Sequence, residues 1–214
     1  MKIGILGSGD VAQALAAGFL THGHAVTLGT RSPDKLAAFA TAHPGLKTGS
    51  VTDAAGFGEL VVLAVKGTAA AEVLRAAGAP RLAGKTVIDT TNPIADAPPV
   101  NGVLQYFTGP NESLLERLQN EFAQARLVKA FNSVGAACMV DPKLVGGAPT
   151  MFIAGNDAAA RTQVAGILAQ FGGEVADMGR AEAARAIEPL AMLWCIPGFL
   201  RNDWAHAFKL LPMA

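Results

Sequence analysis

Within GILGSGDVAQALA (residues 4–16), Gly7-Ser8-Gly9 followed by Ala12 has the spacing that brings a main chain up to a phosphate. Gly7 permits a tight turn, Gly9 lets the backbone approach a pyrophosphate, and a small residue at Ala12 lets helix pack closely on strand. Amide groups at the start of the following helix would then face the anion, so Gly7, Ser8, Gly9, Asp10 and Val11 are the expected contacts. About 20 residues further on, a carboxylate would mark a free ribose hydroxyl. This chain instead has Gly29-Thr30-Arg31-Ser32 and then Lys35, with no carboxylate before Asp34. A guanidinium, two hydroxyls and an ammonium suit a 2′-phosphate, which arginine grips through two donors and lysine attracts as a point charge. The two stretches together point to NADP(H) rather than NAD(H). The plainer alternatives are a structural turn for the first, and for the second a solvated arginine beside a serine that caps a helix.

The other reactive residue types make no catalytic constellation. His22, His24 and His43 sit at helix ends on the side of the sheet away from any ligand, and His206 reads as a surface histidine on a helix. Cys138 and Cys195 match no metal spacing and read as buried, reduced thiols, and no metal is expected. Lys66 follows a strand, where contact with a cofactor is expected rather than catalysis. Trp194, Trp204 and Phe208 have the spacing of core or interface aromatics.

Those residues need a scaffold, and the pattern supplies one. KIGIL (2–6), AVTLG (25–29), ELVVLAV (59–65), KTVIDTT (85–91), RLVKAF (126–131), TMFIAG (150–155) and the weaker GEVADMG (173–179) read as strands. Continuous apolar runs of this kind fit strands covered on both faces. Helical stretches lie between them, among them residues 10–23 and a segment after Ser32-Pro33, where serine would cap and proline fill the first turn. The alternation implies right-handed crossovers and an α/β fold with a doubly wound, mostly parallel sheet. After residue 179 the pattern becomes helical, with Ile187, Leu190, Ala191 and Trp194 on one stripe and Pro189 and Pro197 expected to kink or break it. We therefore divide the chain into a nucleotide-binding domain, 1–179, and a C-terminal helical segment, 180–214, that covers the pocket and contacts a second copy.

Composition narrows the partners. Of 214 residues 51% are apolar and 16% charged, and 17 basic side chains balance 17 acidic ones with no block of one sign. That argues against nucleic acid or an anionic membrane as partner. The run PLAMLWCIPGFL (189–200) falls short of the about 20 residues a bilayer crossing needs, and no signal peptide is evident, so a cytoplasmic protein is expected.

GILGSGDVAQALA, GTRSPDK, VVLAVKG, DTTNPI, LVKAFNSVGA, MFIAGND, AARAIEPLAML and AFKLL, in that order, resemble the coenzyme F-420-dependent NADP oxidoreductases over nearly the whole chain. The resemblance implies a Rossmann-type domain with a small C-terminal helical part in a homodimer, and reversible hydride exchange between NADPH and the deazaflavin coenzyme F-420. It implies that Ser8 to Val11 touch the pyrophosphate and that Thr30, Arg31, Ser32 and Lys35 bind the 2′-phosphate. Ala64 and Val65 would line the path of the dinucleotide. Asn92, Pro93 and the loop containing Ala130 and Asn132 would shape the nicotinamide and deazaflavin pocket. Hydride transfer asks for donor and acceptor carbons held at about 3–3.5 Å with water excluded, not for acid–base residues. A flavin or ferric acceptor in place of F-420 remains open, as does a regulator that senses NADPH without turnover. Imine and β-hydroxy-acid reductases share the N-terminal half, but their helical domain is much longer than residues 180–214.

Overall fold

A computed structural model describes residues 1–211 and Met213. Its frame is a six-stranded parallel sheet, β1 (Lys2–Leu6), β2 (Ala25–Gly29), β3 (Lys47–Gly49), β4 (Leu60–Leu63), β5 (Thr86–Asp89) and β6 (Arg126–Lys129), in spatial order β3-β2-β1-β4-β5-β6. The period of two along each strand builds two cores. Ile3, Ile5, Leu60, Val62, Ile88 and Val128 face helices α1 (Asp10–Thr21) and α7 (Ala158–Gln170). Leu6, Val61, Leu63, Val87 and Leu127 face α3 (Val51–Phe57), α4 (Ala70–Ala77), the single turn α5 (Ala79–Leu82) and α6 (Leu114–Glu121). Both faces are covered, which is why the strands read as unbroken apolar runs. The chain winds outward from β1 to β3 and returns to β4 beside β1, so the crevice that binds ligands in such sheets opens between their carboxyl ends.

Four features depart from the expectations above. The edge strand β3 and the helix α3 went unread, because KTG is polar and too short to show a period. The last two strands, β7 (Thr150–Ile153) and β8 (Glu174–Asp177), form a separate parallel pair joined to β6 by one antiparallel bridge, Lys129 to Ala154. Ser32 makes no side-chain cap; Pro33 opens a tight 3₁₀ turn (Pro33–Leu36) closed by the backbone, Lys35 N donating to Ser32 O at 3.2 Å, before the short α2 (Ala37–Ala42).

The fourth departure is α8 (Ala184–Arg201), which runs unbroken through Pro189 and Pro197. Each proline removes a ladder donor, but tertiary bonds tie the helix down immediately before the first one. Asn132 Nδ2 donates to Ile187 O at 3.0 Å, and Tyr106 Oη to Glu188 O at 2.8 Å. With the preceding turn the helical stretch Ala181–Arg201 spans 21 residues at mean hydropathy 1.2, long and apolar enough by length and composition to cross a membrane. Residues 202–211 form no regular element. His206 is therefore not helical: its ring packs on Trp194 at 5.1 Å between centroids, with Nε2 3.0 Å from Trp194 O.

Candidate functional site

A cleft of about 850 Å³ lies at the carboxyl ends of β1, β4 and β5. Its first end is made by the loop between β1 and α1. Gly7 has φ +139°, and a Cβ there would lie 2.0 Å from Ala64 O, so only glycine fits. Gly9 differs: its backbone is extended, φ −80° and ψ −176°, and a Cβ would meet no protein atom within 4 Å. Packing within the protein does not demand glycine at that position, and the open space beside the cleft leaves room for a ligand. The ladder of α1 begins with Gln13 N donating to Gly9 O at 3.0 Å, which leaves the amides of the first turn outside it and turned toward the cleft. Ser8, Asp10 and Val11 line the same wall, and Asp10 is exposed where the helix dipole favours a carboxylate. Free amides, a side-chain-free approach and a positive helix end fit a pyrophosphate.

Beyond β2, Thr30 and Arg31 also line the cleft. Thr30 is buried and its hydroxyl accepts from Ser32 N at 3.1 Å, which sets the turn. The Arg31 side chain is 82% exposed and pairs with Glu72 at 3.7 Å, a surface pair worth little. Ser32 and Lys35 are exposed just outside the lining. The Ser32 side chain makes no cap hydrogen bond, which leaves its hydroxyl available beside Arg31.

The opposite end is walled by Ala64, Val65 and Lys66 after β4, and by residues 90–92 and 94–97 after β5. Lys66 Nζ and Asp96 Oδ1 face each other at 3.9 Å, both largely exposed. Asn92 lines the cleft, but Pro93, Ala130 and Asn132 do not. These three are buried: β6 ends level with β5, Lys129 opposite Asp89, and the loop after it turns in against α8, where Asn132 bonds Ile187 O. Asn132 reaches the site only through Asn92: the Asn92 amide donates to Asn132 O at 2.8 Å, and Asn132 Nδ2 to Asn92 Oδ1 at 3.1 Å.

Behind Thr91 and Asn92 lies a group that the motif reading missed. Lys129 Nζ is 2.7 Å from Asp89 Oδ2 and 2.9 Å from Glu188 Oε1, and all three side chains are buried. Burial pulls the ammonium down, but the Asp89 and Glu188 carboxylates outweigh it and hold Lys129 above the usual lysine range. The signal was present in the sequence, as charges inside runs otherwise read as buried strands, RLVKAF and KTVIDTT. Burial also raises the Tyr106 phenol and the Cys195 thiol, which keeps both neutral and the thiol unreactive. None of the four histidines lines the cleft. His22 pairs with Asp141 at 3.2 Å and His24 with Gln170 at 2.9 Å. Among the described residues no cluster suits a metal ion.

Similarity to known proteins points the same way. A family model described as NADP oxidoreductase, coenzyme F420-dependent, matches residues 2–93. A protein from Arthrobacter sp. FB24, provisionally named an F420-dependent NADP-reductase, superposes with TM-score 0.93 at 34% identity, over 99% of this chain and 100% of that one. The metalloreductase STEAP3 of Rattus norvegicus is 31% identical over 205 residues, 93% of this chain but 39% of its own length. The chain thus spans about two-fifths of that relative. An imine reductase from Aspergillus terreus solved with NADPH4 shares the fold, at TM-score 0.67 and 22% identity over 94% of this chain and 63% of that one.

Proposed function

The chain belongs to the coenzyme F-420-dependent NADP oxidoreductase family, and on that premise we propose that it passes a hydride between NADPH and coenzyme F-420, or a flavin-like acceptor. The coarser part, an NADP-dependent oxidoreductase that binds NADP(H), follows from the family. The observation that carries the finer part is the contrast between the ends of one continuous cleft. One end offers free amides and Arg31 to phosphates; the other has apolar Ala64, Val65, Ile94, Ala95 and Ala97, with charge only at the exposed Lys66 and Asp96. A bound nicotinamide would supply the hydride, and its acceptor needs a flat, dry wall rather than an acid or base. The residues of this chain bind the phosphates, set the ring against Thr91 and Asn92, and exclude water.

A second reading, NADPH-dependent flavin or ferric reduction, is favoured by the likeness to the metalloreductase STEAP3. Mixing the protein with NADPH and, in turn, F-420, FMN, riboflavin and a ferric chelate separates the two. Fastest NADPH consumption with F-420 supports the first reading, and consumption only with flavin or iron supports the second. No consumption with any of them leaves a regulator that senses NADPH. A homodimer formed through α8 belongs to the same proposal: Leu193, Phe199 and Leu200 are 55, 44 and 56% exposed on a largely apolar helix. A monomeric mass at micromolar concentration would overturn it. Two free cysteines, Cys138 and Cys195, suit the reducing cytoplasm we propose for it.

A further inference from the structure

Asp89, Lys129 and Glu188 are 0, 0 and 1% exposed, and they come from the ends of β5 and β6 and from the second turn of α8. Three charges taken out of water carry a heavy desolvation cost, which demands nearly complete hydrogen bonding in return. The Glu188 carboxylate receives the amides of Leu114 and Leu115, at 2.9 and 3.0 Å, from the N-terminus of α6. The other bonds converge on one residue of the cleft wall. Asp89 Oδ1 accepts from Thr91 N at 2.9 Å and from Thr91 Oγ1 at 2.6 Å, and Lys129 Nζ donates to Thr91 O at 2.7 Å. Thr91 is thus held at its amide, its hydroxyl and its carbonyl.

The next residue is held in parallel. Asn92 exchanges two hydrogen bonds with Asn132, whose remaining amide hydrogen goes to Ile187 O at 3.0 Å. Two consecutive residues of the cleft, Thr91 and Asn92, are therefore tied to two consecutive residues of α8, Glu188 and Ile187, through Lys129 and Asn132. Resting on the NADPH reading above, we propose that Lys129 is a positioning residue for hydride transfer. With Glu188 it indexes the 91–92 turn to α8 and so fixes the seat of the nicotinamide ring, while the phosphates are held independently at the other end.

The test uses Lys129→Met and Glu188→Gln in the full chain. It reads NADPH affinity, the emission of the bound nicotinamide, and single-turnover hydride transfer to the acceptor the unsubstituted protein uses. NADPH affinity should change little, because the phosphate end is untouched. Ring emission should move toward that of free NADPH, and the transfer rate should fall on the order of 100-fold for Lys129→Met, the usual result of a misplaced reactant. Glu188→Gln, which keeps shape and an acceptor oxygen, should show the same pattern more weakly and carries the test if Lys129→Met does not fold. Combined with Asn92→Ala, either variant should be non-additive in rate. Unaltered ring emission and rate in the folded variants, or affinity lost in step with rate, would overturn the inference alone. Failure of the unsubstituted chain to bind NADPH would overturn the functional reading and the inference together.

Discussion

The two ends of the cleft recognise in opposite ways. At the proposed phosphate end the binding groups stand free or weakly paired: the first-turn amides of α1, the open space over Gly9 and a solvent-exposed Arg31 with Glu72 3.7 Å away. At the nicotinamide end the polar groups are already engaged, Thr91 with Asp89 and Lys129, Asn92 with Asn132. Unpaired groups gain free energy when an anion arrives, so the first end supplies affinity. Satisfied groups gain little from a ligand but hold shape, so the second end supplies geometry. A cofactor held firmly by one end and aimed by the other is what hydride transfer asks for.

The largest way to break this contrast is Lys129→Met. Removing one partner of a buried charge cluster costs about 3–5 kcal/mol. The pH dependence of the lost contribution has a definite sign. In the unsubstituted protein Asp89 and Glu188 hold Lys129 above the lysine range, so its contribution is present at neutral pH and is lost only in strong alkali. The deficit in denaturation midpoint of Lys129→Met should therefore be full near neutrality and shrink only in strong alkali, and the absence of a deficit near neutrality would show that the ammonium does not hold the cluster.

At the other end, two glycines separate fold from ligand. Gly7→Ala puts a Cβ 2.0 Å from Ala64 O at φ +139° and should cost at least about 1–3 kcal/mol along with NADPH binding. Gly9→Ala meets nothing in the protein and suits its backbone, so stability should hold or rise by about 0.4–1 kcal/mol. NADPH affinity should nonetheless drop, on the order of tenfold or more. Thermal unfolding with and without NADPH checks both; an unchanged affinity for Gly9→Ala would remove the phosphate from that loop. Arg31→Ala comes next, with NADPH weakened by about 1.5–3 kcal/mol, NADH unaffected and stability unchanged. Equal affinity of the unsubstituted protein for both cofactors would end the 2′-phosphate assignment.

The same contrast decides what the sequence reveals. The phosphate end is written in consecutive residues, 7–11 and 30–31, because a βα turn and a helix end are local structures whose glycine spacing is a backbone requirement. The parallel sheet is legible for a similar reason, since burial on both faces leaves unbroken apolar runs. The nicotinamide end is assembled from residues 89–92, 129–132 and 187–188, and no local pattern states that those three will meet. Pro189 misled for the same reason: local chemistry says break, and bonds from Asn132 and Tyr106 tie the helix down just before it. Asn132, assigned to the ligand pocket by resemblance, turns out to act one layer behind it.

The smallest effect sharpens the comparison most, because it concerns the same helix. Among the described residues two polar links join α6 and α8. Glu188 makes the buried one, and Arg185, 40% exposed, makes the other to Glu116 at 2.6 Å. The Arg185 hydrogen bond holds the Glu116 carboxyl below the usual carboxylate range, with Ser113 at the cap of α6 adding to it. A lowered folded pKa gives stability that is present above the unfolded value and lost as pH falls through the folded one. Glu116→Gln should therefore cost about 0.5–1 kcal/mol near neutrality, less at high salt, and almost nothing in acid. Its consequence for the site is the telling one. If α8 merely has to be attached, loosening this link should disturb the bound nicotinamide in proportion to the stability lost. If the ring is seated through Lys129 and Asn132, Glu116→Gln should leave nicotinamide emission and transfer rate at their original values while Glu188→Gln, on the same pair of helices, changes both.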